Sequence, residues 1–282
     1  MAANAEDFPG IAASTIITKT ISSTSDLVYA KSAIQAAPAG NYILNITDTI
    51  AIGNTEANII PAADTNISLR GGGTIHKSSG AGSPLFDLAN SGSKLILRDA
   101  TLKGHSGNNQ SLVKVSTEFV MIGGEISGNN SESNSGAGVA VLGGTFTMGD
   151  GTIKDNNTTL GGGGLYIGLG GRFTMNGGEI VDNTAWDGST TGTGGGIQIQ
   201  DGTSVATIKN GLIARNAAKG TTDDGGGGIM IYGGSLTYEG GTIADNTTDS
   251  TSSSGSYNLR STGGTFIDST GLLPSGSGGF IY

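Results

Sequence analysis

Cysteine is absent from this chain of 282 residues, so neither disulfides nor thiolate metal sites are available to it. Histidine occurs only 2 times, which leaves too few imidazoles for the usual transition-metal sites. The 14 lysines and arginines are outnumbered by 23 aspartates and glutamates, and the net charge is -9. Because the basic residues are few and form no cluster, we expect no nucleic-acid partner.

Long apolar segments are also missing. No run of about 18 apolar residues occurs, so we expect no membrane insertion within this chain. The first ten residues lack the basic region and the apolar core of a signal peptide. The chain has 52 glycines but only 5 prolines and no G-X-Y period, which excludes a collagen-like protein. Its glycines, serines, threonines and asparagines instead favour short strands and turns.

A short phrase recurs five times between residues 123 and 247, with an isoleucine followed three residues later by an asparagine. The isoleucines are Ile126, Ile153, Ile180, Ile213 and Ile243. The asparagines are Asn129, Asn156, Asn183, Asn216 and Asn246. Gaps of 27 to 33 residues between copies are typical of a solenoid in which every turn returns to the same position.

Alternating apolar residues on both sides of each asparagine predict the strands. Phe119 and Met121 precede one copy, Val139 and Val141 follow it, and period two indicates a strand with one buried face. The same pattern places Tyr257 inward in the last turn. With the isoleucine strand, this makes three short strands per turn. We therefore predict an all-β fold, a single right-handed parallel β-helix of about seven to nine turns.

The two ends of the chain differ from the repeat. Residues 25–37 form the one convincing amphipathic helix, so residues 1–40 are interpreted as an N-terminal cap with a helical segment. The parallel β-helix is assigned to residues 41–270. Residues 271–282 are expected to be a C-terminal tail or a last strand.

The repeated asparagines are interpreted as a structural ladder. An asparagine amide satisfies backbone groups in its own bend and in the next turn, and asparagine tolerates left-handed backbone. His105 stands at the asparagine position of its own turn and is expected to substitute there.

Variation in length is concentrated after the asparagine, and the longest loops are 184–196 and 217–228. Binding residues are often found on such loops when a rigid scaffold positions them. We therefore place the binding face on these loops and on the adjacent outward strand positions. The candidate binding residues are Trp186, Asp187, Tyr166, Gln198, Asp223 and Asp224.

Catalysis remains an alternative, although no catalytic residue is assigned. Asp223 and Asp224 with Arg215 would be the catalytic group of a polysaccharide lyase or hydrolase acting on acidic glycans. No cofactor is predicted; if a metal binds, we expect calcium at Asp187, Asp223 and Asp224. A column of outward threonines allows a further alternative, ice binding, on a different face. Its members are Thr147, Thr174, Thr207 and Thr237.

The GG-x-I-x-x-N units and the glycine-rich strands between them resemble the repeats of bacterial surface β-helices. The similarity is to polymorphic outer-membrane and adhesin-like proteins and covers about residues 67–267. GAGV at 136–139 and GGGL at 162–165 loosely match the first family motif, and Ile126 replaces the phenylalanine of the second. The resemblance implies a secreted or cell-surface adhesin or binding scaffold. Its partner would be a host or environmental glycan or a surface protein. A structural spike or filament module is the remaining alternative.

Overall fold

The computed structural model describes most of the chain. It covers residues 7–8, 16–36, 39–53, 56–78, 82–186, 192–220, 225–248 and 258–269, with the backbone of 276–277 and 280–281. These residues form an all-β, right-handed solenoid of parallel strands with about 8 turns. The predicted fold class is therefore confirmed.

Three sheets run along the solenoid, and we number them in the order in which a turn visits them. Sheet 1 has 17 strands in two rows, because each turn contributes strand residues before and after a bend. The first row contains β1 Ile16–Ile21, β2 Asn41–Ile46, β4 Asn66–Arg70, β7 Lys94–Leu97, β16 Arg172–Met175, β20 Val205–Ile208, β24 Ser235–Tyr238 and β28 Thr265–Asp268. The second row contains β3 Thr49–Ile52, β5 Thr74–Lys77, β8 Thr101–Lys103, β17 Glu179–Val181, β21 Leu212–Ala214 and β25 Thr242–Ala244. Two longer strands, β10 Glu118–Ser127 and β13 Thr145–Lys154, run through both rows.

Sheets 2 and 3 complete each turn. Sheet 2 contains five two-residue strands, β11 Asn130–Ser131, β14 Asn157–Thr158, β18 Thr184–Ala185, β22 Ala217–Ala218 and β26 Thr247–Thr248. Sheet 3 contains β6 Phe86–Leu88, β9 Val113–Val115, β12 Val139–Leu142, β15 Leu165–Gly168, β19 Ile197–Ile199, β23 Ile229–Ile231, β27 Leu259–Ser261 and β30 Phe280–Ile281. The short strands of sheet 2 add a fourth segment to the three that the sequence predicts.

Like residues stack in register along the interior. Phe119, Phe146 and Phe173 are successive partners in the first row of sheet 1. The ring centroids of Phe119 and Phe146 are 4.6 Å apart, and those of Phe146 and Phe173 are 5.0 Å apart. The neighbouring columns of methionine, isoleucine, leucine and valine are also buried, so the core is one continuous apolar rod.

The ends of the solenoid are covered by different elements. Helix α1, Thr24–Ala36, buries Leu27, Ala30 and Ile34, which is the apolar face that the sequence predicts. Within the predicted cap, β1 precedes this helix and pairs in parallel with β2. At the other end, β29 Gly276–Ser277 and β30 pair antiparallel with β28 and β27. These antiparallel pairs cover strand edges that would otherwise invite association.

The asparagine ladder is present and has a direction. The backbone N–H and the Nδ2 of Asn156 both donate to Oδ1 of Asn183, at 3.1 Å each. The same pair of hydrogen bonds joins Asn183 to Asn216 and Asn216 to Asn246. Every amide oxygen in this series therefore accepts from the preceding turn. The predicted structural role of these asparagines is confirmed.

The sequence misplaces the inward pair of the last turn. Leu259 and Ser261, not Tyr257 and Leu259, are the partners of Ile229 and Ile231. Tyr257 lies outside the described residues. The reason for the shift is Asn258, whose Oδ1 accepts from the N–H and Nδ2 of Asn246 at 3.1 and 3.0 Å. Asn258 thus supplies the last acceptor of the ladder.

The first amide of the ladder also differs from the prediction. Asn130 N–H donates to the backbone oxygen of His105 at 3.1 Å, so His105 does occupy the backbone position expected for it. The side chain in the ladder, however, belongs to Asn108, whose Nδ2 donates to Oδ1 of Asn129 at 2.9 Å. The side-chain amide of an asparagine donates and accepts hydrogen bonds at the same time in this geometry. A neutral imidazole also has one donor and one acceptor, but both lie on a ring and point in different directions.

A buried lysine lies next to Asn108 at the start of the ladder. Lys77, the last residue of β5, is fully buried, and its Nζ donates to Oδ1 of Asn108 and to the backbone oxygen of Ser83. Burial lowers the pKa of Lys77 to about 8. Its amine lies at the end of the ladder to which the amide oxygens point, which is the negative end of the stacked dipoles. Nothing in the repeat predicts this contact.

We predict that Asn183→Ala lowers the free energy of unfolding by about 2 to 4 kcal/mol, because it leaves buried donors and acceptors in the adjacent turns without partners. Urea unfolding followed by circular dichroism measures this change. Asn176→Ala, at an exposed position in the same region, is the control and should change stability by less than about 0.5 kcal/mol. Equal effects of the two substitutions would contradict the ladder's role.

Lys77 predicts a pH dependence of stability. Since its pKa is lower in the folded protein than the ordinary 10.5, the unfolded chain binds the proton more readily between about pH 8 and 10.5. Stability should therefore rise with pH in that window, and Lys77→Met should lose this increment. The measurement is the difference in unfolding free energy between the two proteins at pH 7.5 and pH 10. A difference that does not change with pH would contradict the assignment.

Candidate functional site

A groove follows the outer face of sheet 3. It consists of two adjoining cavities of about 340 and 310 Å³, which share Ser135, Leu160 and Tyr166. Sheet 3 forms the floor, and the loops that follow the ladder asparagines form the wall. The groove crosses the strands, so it runs parallel to the axis of the solenoid.

Tyr166 lies in the middle of the groove. It is the outward residue of β15, between Ala140 of β12 and Gln198 of β19. Its ring lies against Gly168, where an added Cβ would come within 2.7 Å of Cε1, so glycine makes room for the ring. The side chain is half-buried. Burial, and then the charge of Asp201, raise the pKa of Tyr166.

Amide and hydroxyl groups continue the floor beyond Tyr166. Gln198 is 5% exposed, and its Oε1 accepts from Oγ1 of Thr193 at 3.2 Å. Its Nε2 donates to Oε1 of Gln200 at 2.5 Å. The hydroxyl of Tyr232 donates to Oγ1 of Thr193 at 3.4 Å. These bonds fix the side chains in one arrangement before any ligand arrives.

The wall is formed by loop residues that sequence analysis did not select. Leu160 follows β14 and is 40% exposed, although it is a large apolar residue in a glycine-rich loop. The backbone oxygen of Asn134 accepts from the hydroxyls of Ser131 and Thr158 at 2.8 and 2.7 Å, which fixes the adjoining loop. An exposed leucine beside four consecutive glycines was the signal available in the sequence.

Lys114 places a positive charge in the groove. It is the outward residue of β9, and it is the only formally charged side chain among the described residues that line the two cavities. Its Nζ lies 3.8 Å from Oδ2 of Asp87, which is a long ion pair. The lysine therefore remains available to a second anion.

The structure brings together two of the predicted binding residues. Tyr166 and Gln198 line the groove, but Gln198 lies buried in its floor rather than on an exposed face. Met230, which follows Gln198 in the same outward column, is fully buried and adds nothing to the surface. Trp186, directly after β18, is 51% exposed, and its backbone N–H donates to the backbone oxygen of Thr158 at 2.6 Å.

Asp187, Asp223 and Asp224 lie outside the described residues, so their predicted roles in binding, catalysis or calcium coordination stay predictions. Among the residues that the structure does describe, no group of three histidine, aspartate or glutamate side chains is arranged to bind a metal.

Arg215 has a different arrangement from the one catalysis would need. Its Nε and Nη2 donate to the two carboxylate oxygens of Asp182 at 2.9 Å each. The hydrogen bond with Asp182 raises the pKa of Arg215, so the guanidinium loses its proton still less readily and is less suited to act as a base. Both residues have left-handed backbone, with φ of 55° and 57°, as do Asp155 and Asp245 at the same position of their turns. Arg215 is thus a turn residue that neutralises a stacked aspartate.

The threonine column lies on the first row of sheet 1. Thr147, Thr174 and Thr207 are successive partners in register, followed by Thr237. The parallel outward column is mixed in character. Its members are Thr145, Arg172, Val205, Ser235 and Thr265. A regular two-column threonine surface is therefore not formed by these strands.

In the part of the chain that the structure describes, no helix is both long and apolar enough to cross a membrane. Comparison with protein-family models, with curated proteins and with solved structures found no match to this chain. Function must therefore be argued from the groove itself.

Proposed function

We propose that this protein is a non-catalytic, secreted or cell-surface β-helix that binds an extended glycan in the groove on sheet 3. The observation that carries the proposal is Tyr166, a half-exposed ring fixed against Gly168 beside an ordered amide and hydroxyl network. The repeat resemblance to adhesin-like surface proteins supports the location and the general role.

The chemistry of the groove fits a sugar. A pyranose presents an apolar face of C–H groups and a rim of hydroxyls, so it needs an aromatic or aliphatic surface with donors and acceptors around it. Tyr166 and Leu160 supply the apolar surface, while Gln198, Gln200 and the serines and asparagine of the wall supply both donors and acceptors.

The shape of the groove favours a chain over a single sugar. Its lining residues come from four successive strands of sheet 3, β9, β12, β15 and β19, and from the loop after the next strand, β23. Strands lie about 4.8 Å apart, so the groove extends over about 19 Å. A protein ligand is less well suited, because only Ser133, Leu160 and Gln200 are exposed among the described residues that line the groove.

The binding test is a panel of neutral and acidic oligosaccharides, followed by calorimetry with the best ligand. We predict that Tyr166→Ala weakens binding about fivefold or more, because stacking of a nucleic-acid base on an aromatic ring is worth about 1 to 3 kcal/mol and a sugar face that packs on the ring should lose a similar contact. Tyr29→Ala removes a tyrosine that is 68% exposed on α1 and should leave binding unchanged. If no glycan in the panel binds to the native protein, the proposed function is wrong.

The charge at one end of the groove gives a second prediction. Lys114→Gln should weaken binding of carboxylate-bearing glycans several-fold and leave neutral glycans unaffected, because one surface cation interacts only with the charged ligands. Lys103→Gln, an exposed lysine of β8, is the control. Binding should survive a chelator, since no described groove residue belongs to a metal site. New unsaturated or reducing ends, formed with calcium present, would contradict the non-catalytic assignment and favour the lyase or hydrolase alternative.

A further inference from the structure

The outer face of sheet 1 changes character along the solenoid. In the first row, the outward column runs from Thr18 through Ile43, Ser68, Ile96 and Val120 and then becomes the threonine column that starts at Thr147. An outward strand position that faces water is usually polar, so three apolar residues in this column indicate a covered surface. The cover must come from outside the repeat.

Two residues near the start of the chain provide that cover. Phe8 is 5% exposed and forms a separate apolar cluster with Ile43 and Ile96, against which Ile16 and Val120 also pack. Phe8 is therefore not part of the core rod. It occupies a shallow apolar site on the outside of sheet 1.

Asp7 makes the site specific. Its side chain is completely buried, and its Oδ1 accepts from the hydroxyl of Ser68 at 2.9 Å. Its Oδ2 accepts from Nη1 of Arg70 at 3.1 Å, and Nε of Arg98 contacts Oδ1. A buried carboxylate needs this degree of pairing. Ser68, Arg70 and Arg98 come from two adjacent strands of the first row, so the scaffold fixes their spacing.

We propose that this is an acceptor site for an aspartate–phenylalanine pair and that a second copy of this chain fills it by exchange of the N-terminal segment. The chemistry of the site identifies this occupant, because the two guanidiniums and the serine complement Asp7 and the apolar patch complements Phe8. Without an occupant, Arg70 and Arg98 would lose the carboxylate that they share, and Ile43 and Ile96 would lose their cover. A copy whose own segment has left the site therefore gains by taking the segment of a neighbour.

Exchange of a terminal segment needs no new interface. The same contacts form within one chain or between two, and the choice between them depends on the effective concentration of the tethered segment against that of other copies. Two variants should therefore associate more tightly with each other than with themselves when one keeps an intact segment and the other keeps an intact site. This inference does not depend on the glycan groove, which lies on sheet 3.

The test uses two full-length variants that complement each other. The acceptor variant, Asp7→Asn with Phe8→Ala, has an intact site but a disabled segment. The donor variant, Arg70→Gln with Arg98→Gln, has an intact segment but a disabled site. Sedimentation velocity should show each variant alone as a monomer and the mixture as a 1:1 heterodimer, at least tenfold tighter than either self-association.

Two controls make the result decisive. A donor that also carries Asp7→Asn should not associate with the acceptor, and circular dichroism shows whether each variant is folded. A labelled peptide of residues 4–10 should bind the acceptor variant, while a scrambled peptide should not. If the double acceptor variant does not fold, the single variant Phe8→Ala takes its place. Folded variants that neither form the heterodimer nor bind the peptide would overturn the proposal.

Discussion

The buried asparagine amide is the contact on which the rest of the fold depends. At the bend after the second row of sheet 1, the chain turns through a left-handed residue and its backbone groups face the interior. The amide of Asn183, for example, donates to the backbone oxygen of Ile153 and accepts from the N–H of Asn156. This fixes the start of every turn relative to its neighbour, so a loop elsewhere in the turn varies in length without changing the register. Gaps of 27 to 33 residues between asparagines are tolerated for that reason.

A stack of amides that all point the same way needs a donor at one end and an acceptor at the other. Lys77 and Asn108 supply the donors, and Asn258 supplies the acceptor. The aligned dipoles polarise one another and place partial negative charge at the Lys77 end. This arrangement explains why a fully buried lysine is tolerated in an otherwise apolar interior. The amine also donates to two acceptors there, the backbone oxygen of Ser83 and Oδ1 of Asn108.

The sequence predicts what repeats and misses what occurs once. The columns of Ile126 and Asn129 can be recognised in the sequence because four further copies share them. The residues that end the ladder or cover the outer face have partners far away in the chain and no second copy to compare. Lys77 contacts a residue 31 positions away, and Asp7 contacts one 61 positions away. Tyr166 was found from its outward position, but Leu160 was not, because a loop's path cannot be read from strand periodicity.

The outward residues of sheet 3 differ in exposure from turn to turn. From the isoleucine to the next inward residue the chain takes 12 steps before Leu165 but 17 before Ile197 and 16 before Ile229. The outward residues of the turns with long loops, Gln198 and Met230, are 5% and 0% exposed. Tyr166, which belongs to a turn with a shorter loop, remains half-exposed. Connection length does not decide this exposure by itself, because Ala140, in a turn of 13 steps, is 4% exposed, whereas Arg260, in a turn of 16 steps, is half-buried. In the function proposed above, the binding face would therefore be set by which outward residues stay accessible, with Tyr166 at its centre.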